Sequence, residues 1–394
     1  MGQSMITIIS DPHIGDYPYG RIDPATGLNT RLLDFLNNLD QSITYAIENQ
    51  SDAFVVVGDV YRVKHPNSKI RKQFASKLKR LIKANIPTIL ITGNHDMTTT
   101  SDGAHAMSEM QELSDVIDGL SIASSPTVLK IGNTQLYLLP FVNRGEQGLL
   151  TPQDFLSYQI DCIKEFNKQS KISDAKYKLF FGHFGTDKSV VGNSFDLDMS
   201  SNENENKIEL ALFEEGDWTK VYLGHIHKQQ EFNEVVRHVG SLGRVDFSEE
   251  KEQKGFYVFN KGTDKFVPVD DRRFVIFTLN LVDDYQDVLE KFRPTDLQDA
   301  IVKLKINVKQ TYYSAIRLDV LESYLRDNSW HFSSADINVI SDDKVDDSVE
   351  KITSIDMPDE ALKKFVEKHN ERFGNIKDKM IERGVEILKQ ARSL

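Results

Sequence analysis

The stretch that most constrains this chain is Ile89-Leu90-Ile91-Thr92-Gly93-Asn94-His95-Asp96. An apolar, β-branched run that stops at four polar residues reads as a buried strand delivering side chains to the carboxyl edge of a sheet, where open α/β folds place their ligands. Alone, Gly-Asn after a strand is often a turn, and His-Asp a hydrogen-bonded loop. Four other runs end in the same way. Met5 to Ser10 leads into Asp11-Pro12-His13, Ala53 to Val57 into Gly58-Asp59, Lys178 to Phe181 into Gly182-His183, and Lys220 to Leu223 into Gly224-His225-Ile226-His227.

Side chains two apart in an extended segment face the same way, so Asp11 with His13, and His225 with His227, each present two donors together. Collected at one sheet edge, Asp11, His13, Asp59, Asn94, His183, His225 and His227 form a carboxylate, imidazole and amide set without a thiolate. That mixture suits manganese, iron or zinc, and seven protein donors exceed what one ion needs. A pair of ions sharing a bridging carboxylate fits the count. Five of the ten histidines occupy such positions, and His65, His105, His238, His331 and His369 are read as structural.

The segment order is βαβαβ: a strand to Ser10, a helix within Leu28 to Glu48, a strand to Val57, a second helix, and the strand to Thr92. Strands near Thr127 to Ile131 and Gln135 to Leu139 flank the turn Gly132-Asn133, and a helix around Asp154 to Phe166 carries Cys162, the only cysteine, as a core residue. Residues 187–206 are polar and read as a loop beside the donors, either a substrate-contacting or lid segment or simple surface disorder. Gly255 to Asn260 and Phe266 to Val269 close a first domain, 1–270.

A small α/β domain is expected over 271–340, with strands Val275 to Asn280, Ala300 to Val308 and His331 to Ile340 and helices Asp284 to Phe292 and Ser314 to Arg326. An acidic linker over 341–356 follows. Over 357–394, Pro358 and a stripe of Leu362, Phe365, Val366 and Phe373, broken at Gly374-Asn375, predict a two-helix hairpin. No run of eighteen apolar residues and no export-like N-terminal segment occurs, so a cytoplasmic protein outside the membrane is expected.

The net charge of −12 argues against a nucleic-acid partner, but its distribution argues the other way. No Asp or Glu lies between Asp59 and Asp96, while Arg62, Lys64, Lys69, Arg71, Lys72, Lys77, Lys79, Arg80 and Lys83 all do. Ile70, Phe74, Leu78, Leu81 and Ile82 recur at helical spacing among them, which makes an amphipathic helix with a basic outer face. Such a face is either solvated or bound to phosphate, and the absence of acidic residues in the segment favours phosphate.

In order, these elements resemble the calcineurin-like metallophosphoesterase superfamily, whose pattern is D-x-H, GD, GNH[DE], GH and GHxH. The stretch Gly240-Ser241-Leu242-Gly243-Arg244-Val245-Asp246-Phe247-Ser248-Glu249 further resembles the GSxxRxDFxE stretch of SbcD-type double-strand-break repair nucleases. The resemblance implies an α/β (α+β) fold, a β-sandwich flanked by helices, with 271–340 as a capping domain. It also implies a two-metal-dependent DNA nuclease, exonuclease or endonuclease, with two divalent ions, manganese by family habit, and a homodimer.

The C-terminal helices would bind an SbcC-type coiled-coil ABC ATPase. By the same resemblance Asp11, His13, Asp59 and His227 hold one ion, and Asp59, Asn94, His183 and His225 the other. His95 would then act on the substrate as a cation or as an acid for the leaving oxygen, with Asp96 orienting it. Arg62, Lys64, Lys69 and Lys72 are candidate DNA contacts. One departure stands out: SbcD-type sequences commonly read GD-[LI]-F followed by Asp or His, whereas this chain reads Gly58-Asp59-Val60-Tyr61-Arg62. The alternatives are a small-molecule phosphodiesterase or phosphatase on the same scaffold, and a non-catalytic metal-binding scaffold protein.

Overall fold

The computed structural model of the chain describes residues 4–98, 104–142, 148, 151–190, 207–281, 297–340, 377 and 379–384. The chain divides into two units, 1–308 with 315–338, and 309–314 with 339–394.

The first unit begins with β1 (Met5–Ile9), α1 (Thr30–Glu48), β2 (Ala53–Val57), α2 (Ser68–Lys83), β3 (Thr88–Ile91), α3 (Ser108–Ser114) and β4 (Leu120–Ala123). The four strands run parallel side by side, with Ile6 opposite Ala53, Phe54 opposite Thr88 and Thr88 opposite Leu120. Both long helices start at asparagine caps: the Asn29 side chain accepts from the Arg31 and Leu32 amides, and that of Asn67 from the Ile70 amide.

A second sheet follows from β5 (Thr127–Ile131), β6 (Thr134–Leu139), α4 (Pro152–Ile172), β7 (Tyr177–His183), β8 (Lys220–Gly224), β9 (Gln230–Glu231) and β10 (Val236–His238), in the order β5-β6-β7-β8-β10-β9. Thr151 and Asp154 form a capping box around Pro152 that starts α4. The chain then returns to the first sheet with β11 (Gly255–Asn260), antiparallel to β1, and β12 (Thr263–Pro268), giving β12-β11-β1-β2-β3-β4.

Strand alternation decides what each face buries. Ile6, Ile8, Val55, Val57, Ile89 and Ile91 meet Leu136, Leu138, Leu179 and Phe181 between the sheets. The alternate residues Phe54, Val56 and Leu90 pack under α1 and α2, and Phe180, Val221 and Leu223 lie with Ile163 and Phe166 of α4. The result is a helix, sheet, sheet, helix sandwich. The parallel strands β1, β2, β3, β7 and β8 all end at the same sandwich edge, so one edge receives all five polar strand ends.

β13 (Phe274–Leu281), β14 (Ile301–Lys309) and β15 (His331–Ile340) form a third, three-stranded sheet in that order, with α5 (Leu318–Asn328) between β14 and β15 in the chain. Its entry is fixed by Arg272, which grips both carboxylate oxygens of Asp34 on α1 at 2.7 Å and stacks 3.9 Å over the Trp330 ring. α5 starts at Leu318, after a 3-10 turn over Gln310–Ala315, rather than at Ser314.

In the second unit residues 377 and 379–384 are helical. The rest of the expected hairpin, the 341–356 linker, the expected helix Asp284 to Phe292 and most of the 187–206 loop lie outside the described residues. Cys162 flanks the α4 core half-buried rather than within it. Among the described residues no helix is long and apolar enough to cross a membrane.

Candidate metal centre

The five strand ends converge through an unusual backbone. Asp11, His13, Asp59 and His225 have φ of 47°, 42°, 48° and 78°, in the left-handed region that costs a non-glycine residue on the order of 1–2 kcal/mol. Strain gathered on four candidate donors is characteristic of a functional site. Two glycines permit the close approach: a β-carbon on Gly58 would collide with His183 Nδ1, and one on Gly93 with Asp59 Oδ1.

Two groups of donor atoms result, each within 4.8 Å: Asp11, His13 and His227, and Asp11, Asp59 and His183. His13 Nε2 and His227 Nε2 face each other at 2.9 Å. Asn94 Oδ1 lies 3.0 Å from both His183 Nε2 and His225 Nδ1. Between the two sets stand the carboxylates. Asp59 Oδ2 is 3.6 Å from His13 Nε2 and 3.4 Å from His183 Nε2, whereas Asp11 Oδ1 is 3.9 Å and 4.0 Å from the same atoms.

Burial disfavours charge on Asp59, but His183 and the other imidazoles hold its carboxyl well below the usual range. Burial likewise opposes charge on His183, and Asp59 outweighs it, raising the imidazole to about 9. Burial and then His183 depress His225 to about 3.

Buried oxygen and nitrogen donors with no thiolate, converging in two sets around shared carboxylates, fit two hard-to-borderline divalent ions.

The partners around these donors complete the site. His183 Nδ1 lies 3.0 Å from the Val57 carbonyl, and His95 Nδ1 3.0 Å from the Arg62 carbonyl. The His95 ring stands 5.0 Å from that of His13. Asp96 accepts from the backbone amides of Val60, Tyr61 and Gly93 at 3.1, 3.0 and 3.0 Å, so its carboxylate ties the Gly58 and Gly93 turns together.

Two partners carry no local sequence signal of their own: Ser10, whose single hydroxyl hydrogen is shared between the Val57 carbonyl at 2.8 Å and the Asp11 carboxylate, and Glu249, whose Oε1 lies 3.0 Å from His227 Nδ1. Glu249 is marked only by its place in the GSxxRxDFxE-like stretch.

The basic helix is less free than the sequence suggests. Asp40 on α1 pairs with Lys77 and, at 2.5 Å, with Arg80, and Glu109 on α3 pairs with Arg71 at 2.5 Å. The expectation that this face lacks acidic partners is therefore wrong: they come from other helices. Lys69 donates to the Gly27 carbonyl, and Arg62 donates to the Asp16 carbonyl and lies 4.4 Å over the Tyr17 ring. Among the described residues Lys64, Lys72, Lys79 and Lys83 are exposed without an ion pair.

Sandwich and site together define a metal-dependent phosphoesterase. Residues 4–229 match the calcineurin-like phosphoesterase family, and the chain belongs to it. It is similar to the DNA double-strand break repair protein Mre11 of Sulfurisphaera tokodaii, 23% identical, over 99% of this chain and 94% of that one. The Archaeoglobus fulgidus protein of the same name is 24% identical over 72% of this chain and 62% of its own length. Among solved structures, a dimetal phosphatase from Danio rerio overlays 67% of this chain and 98% of its own, with a TM-score of 0.40 and 9% identity.

Proposed function

We propose that the chain is the nuclease subunit of a DNA double-strand-break repair complex, hydrolysing phosphodiester bonds with two divalent ions, manganese in the first instance. The observation that carries this reading is the position of Asp59 Oδ2 between His13 and His183, at 3.6 and 3.4 Å, which suits a carboxylate shared by two ions. DNA as substrate is supported by the name of the Sulfurisphaera tokodaii relative, similar over 99% of the chain, and by the SbcD-type stretch ending at Glu249.

Bound there, divalent ions lower the pKa of an attacking water and neutralise charge on the phosphate oxygens. The chain's own residues then have distinct tasks. Asp11, His13, Asp59 and His227 would hold one ion position, and Asp59, Asn94, His183 and His225 the other. His95, anchored at Nδ1, uses its opposite nitrogen to stabilise charge on the phosphate or to give a proton to the leaving oxygen. Asp96 keeps the two turns in register beneath it.

The reading assigns 1–270 to the nuclease domain, 271–340 to a capping domain, 341–356 to a linker and 357–394 to helices that dock on an SbcC-type coiled-coil ATPase. It also includes a homodimer and a cytoplasmic location. The alternative is a small-molecule phosphodiesterase or phosphatase, favoured by the pairing of Arg71, Lys77 and Arg80 with carboxylates, which leaves fewer cations for a nucleic-acid backbone.

An activity panel separates them: linear duplex, hairpin and circular single-stranded DNA against an aryl phosphodiester, with manganese or magnesium. Manganese-dependent DNA cleavage supports the nuclease. Hydrolysis of the aryl ester with all DNA left intact supports the alternative.

A further inference from the structure

His227 differs from the neighbouring imidazoles in what holds its outer nitrogen. His183 and His95 rest on the backbone carbonyls of Val57 and Arg62, whereas His227 Nδ1 meets a carboxylate oxygen, Glu249 Oε1, at 3.0 Å. Glu249 is fully buried, and His227 and Lys254 are 1% and 2% exposed. A buried carboxylate and ammonium are costly unless every hydrogen bond is made.

Here the hydrogen bonds are made. Glu249 Oε2 accepts from the Val245 amide at 2.8 Å and lies 3.1 Å from Lys254 Nζ. Lys254 spends its remaining hydrogens on Glu252 Oε2 at 2.7 Å and on the backbone carbonyl of His227 itself at 3.1 Å. The lysine therefore grips both the carboxylate and the residue that the carboxylate orients. Asp246, accepting from the Ser248 amide at 2.7 Å, starts the 3-10 turn Phe247–Glu249 that aims Glu249 inward.

An ionised carboxylate only accepts, so Nδ1 carries a proton, and in the neutral ring that metal ligation requires the lone pair of His227 lies on Nε2, the atom 2.9 Å from His13 Nε2. We propose that Glu249, locked by Lys254, is the positioning residue that fixes the tautomer and orientation of His227 for one ion of the metal centre. This rests on the metal-centre reading above. It adds that the stretch from Val245 to Lys254 tunes one ion position and not the other, because among the described residues His183 and His225 are held by Val57 and Asn94 and not by this stretch.

Glu249→Gln tests this with little change of shape. The Val245 amide and Lys254 are both donors, so the amide oxygen of the glutamine turns toward them and its NH2 toward His227 Nδ1. That reverses the tautomer and puts the proton on Nε2, facing the ion position.

The measurement is long-range nitrogen-proton NMR of the histidine rings in the metal-free full chain, with a Mn2+ titration by calorimetry. The expected result is Nδ1–H on His227 in the wild type, Nε2–H in Glu249→Gln, and one of two ion affinities weakened about 10- to 100-fold while the other holds. A wild-type His227 whose Nδ1 carries no proton, the Nε2–H tautomer, overturns the proposal and needs no variant. So does a Glu249→Gln chain that binds both ions as the wild type does. A wild type that binds no divalent ion overturns instead the metal-centre reading beneath it.

Discussion

The ring nitrogen Nδ1 of His95 lies 3.0 Å from the backbone carbonyl oxygen of Arg62. The residue at the position that departs from the SbcD-type pattern thus anchors the candidate acid through its main chain, which any side chain leaves in place. The Arg62 side chain is occupied elsewhere, over Tyr17. His95→Gln is expected to lower kcat by about 10²- to 10⁴-fold, the range of general acid–base catalysis, with ion stoichiometry unchanged. Arg62→Ala is expected to keep most of that kcat. Steady-state kinetics with metal analysis checks both, and loss of an ion in His95→Gln would show that His95 is a ligand.

The pairing seen on α2 sharpens the DNA-binding prediction. Lys69, Lys72, Lys79 and Lys83 are the exposed cations of that helix without an ion pair among the described residues; Lys69 already donates to the Gly27 carbonyl, so replacing Lys72, Lys79 and Lys83 with Gln is expected to weaken duplex binding. Each lost phosphate contact flattens the salt dependence by about 0.9 in log–log slope. Arg71→Gln and Arg80→Gln are expected to change it less, since both already face carboxylates. Binding isotherms at several salt concentrations check this, and an unchanged slope for the triple variant means a merely solvated face.

Much of this site was legible in the sequence because its donors sit at the ends of apolar runs, where period and composition change together at Asp11, Asp59, Asn94, His183 and His225. What was not legible is nonlocal. Asp40 and Glu109 neutralise α2 from helices 37 and 38 positions away, and Glu249 reaches His227 across 22 residues. β4 and β10, of four and three residues, are too short to show a period and exist through pairing with β3 and β8. Lys254 reads as one more charged residue in Glu-Lys-Glu-Gln-Lys, and only its burial reveals its part.

Removal of metal is expected to lower thermal stability. Ions that bind only the folded state stabilise it by about 2.7 kcal/mol at 100 times Kd, which for a unit of this size raises Tm by several degrees. Scanning calorimetry with manganese and then with excess chelator checks it. Identical transitions would mean that no ion is held by the folded chain.

Deleting residues 351–394 is expected to leave manganese-dependent cleavage of small single-stranded substrates in place and to abolish co-purification with the SbcC-type ATPase. Apolar stripes beyond an acidic linker have little core of their own and need another surface. A truncated chain that still binds the ATPase with unchanged affinity contradicts the docking assignment.

The most direct test is the rate of linear duplex cleavage as a function of manganese concentration for the wild type and Asp59→Asn. A carboxylate shared by two ions predicts a wild-type rate that needs both ions, and a variant that folds yet stays at background across the whole titration. Cleavage by Asp59→Asn with the rate and manganese dependence of the wild type would contradict the two-metal account.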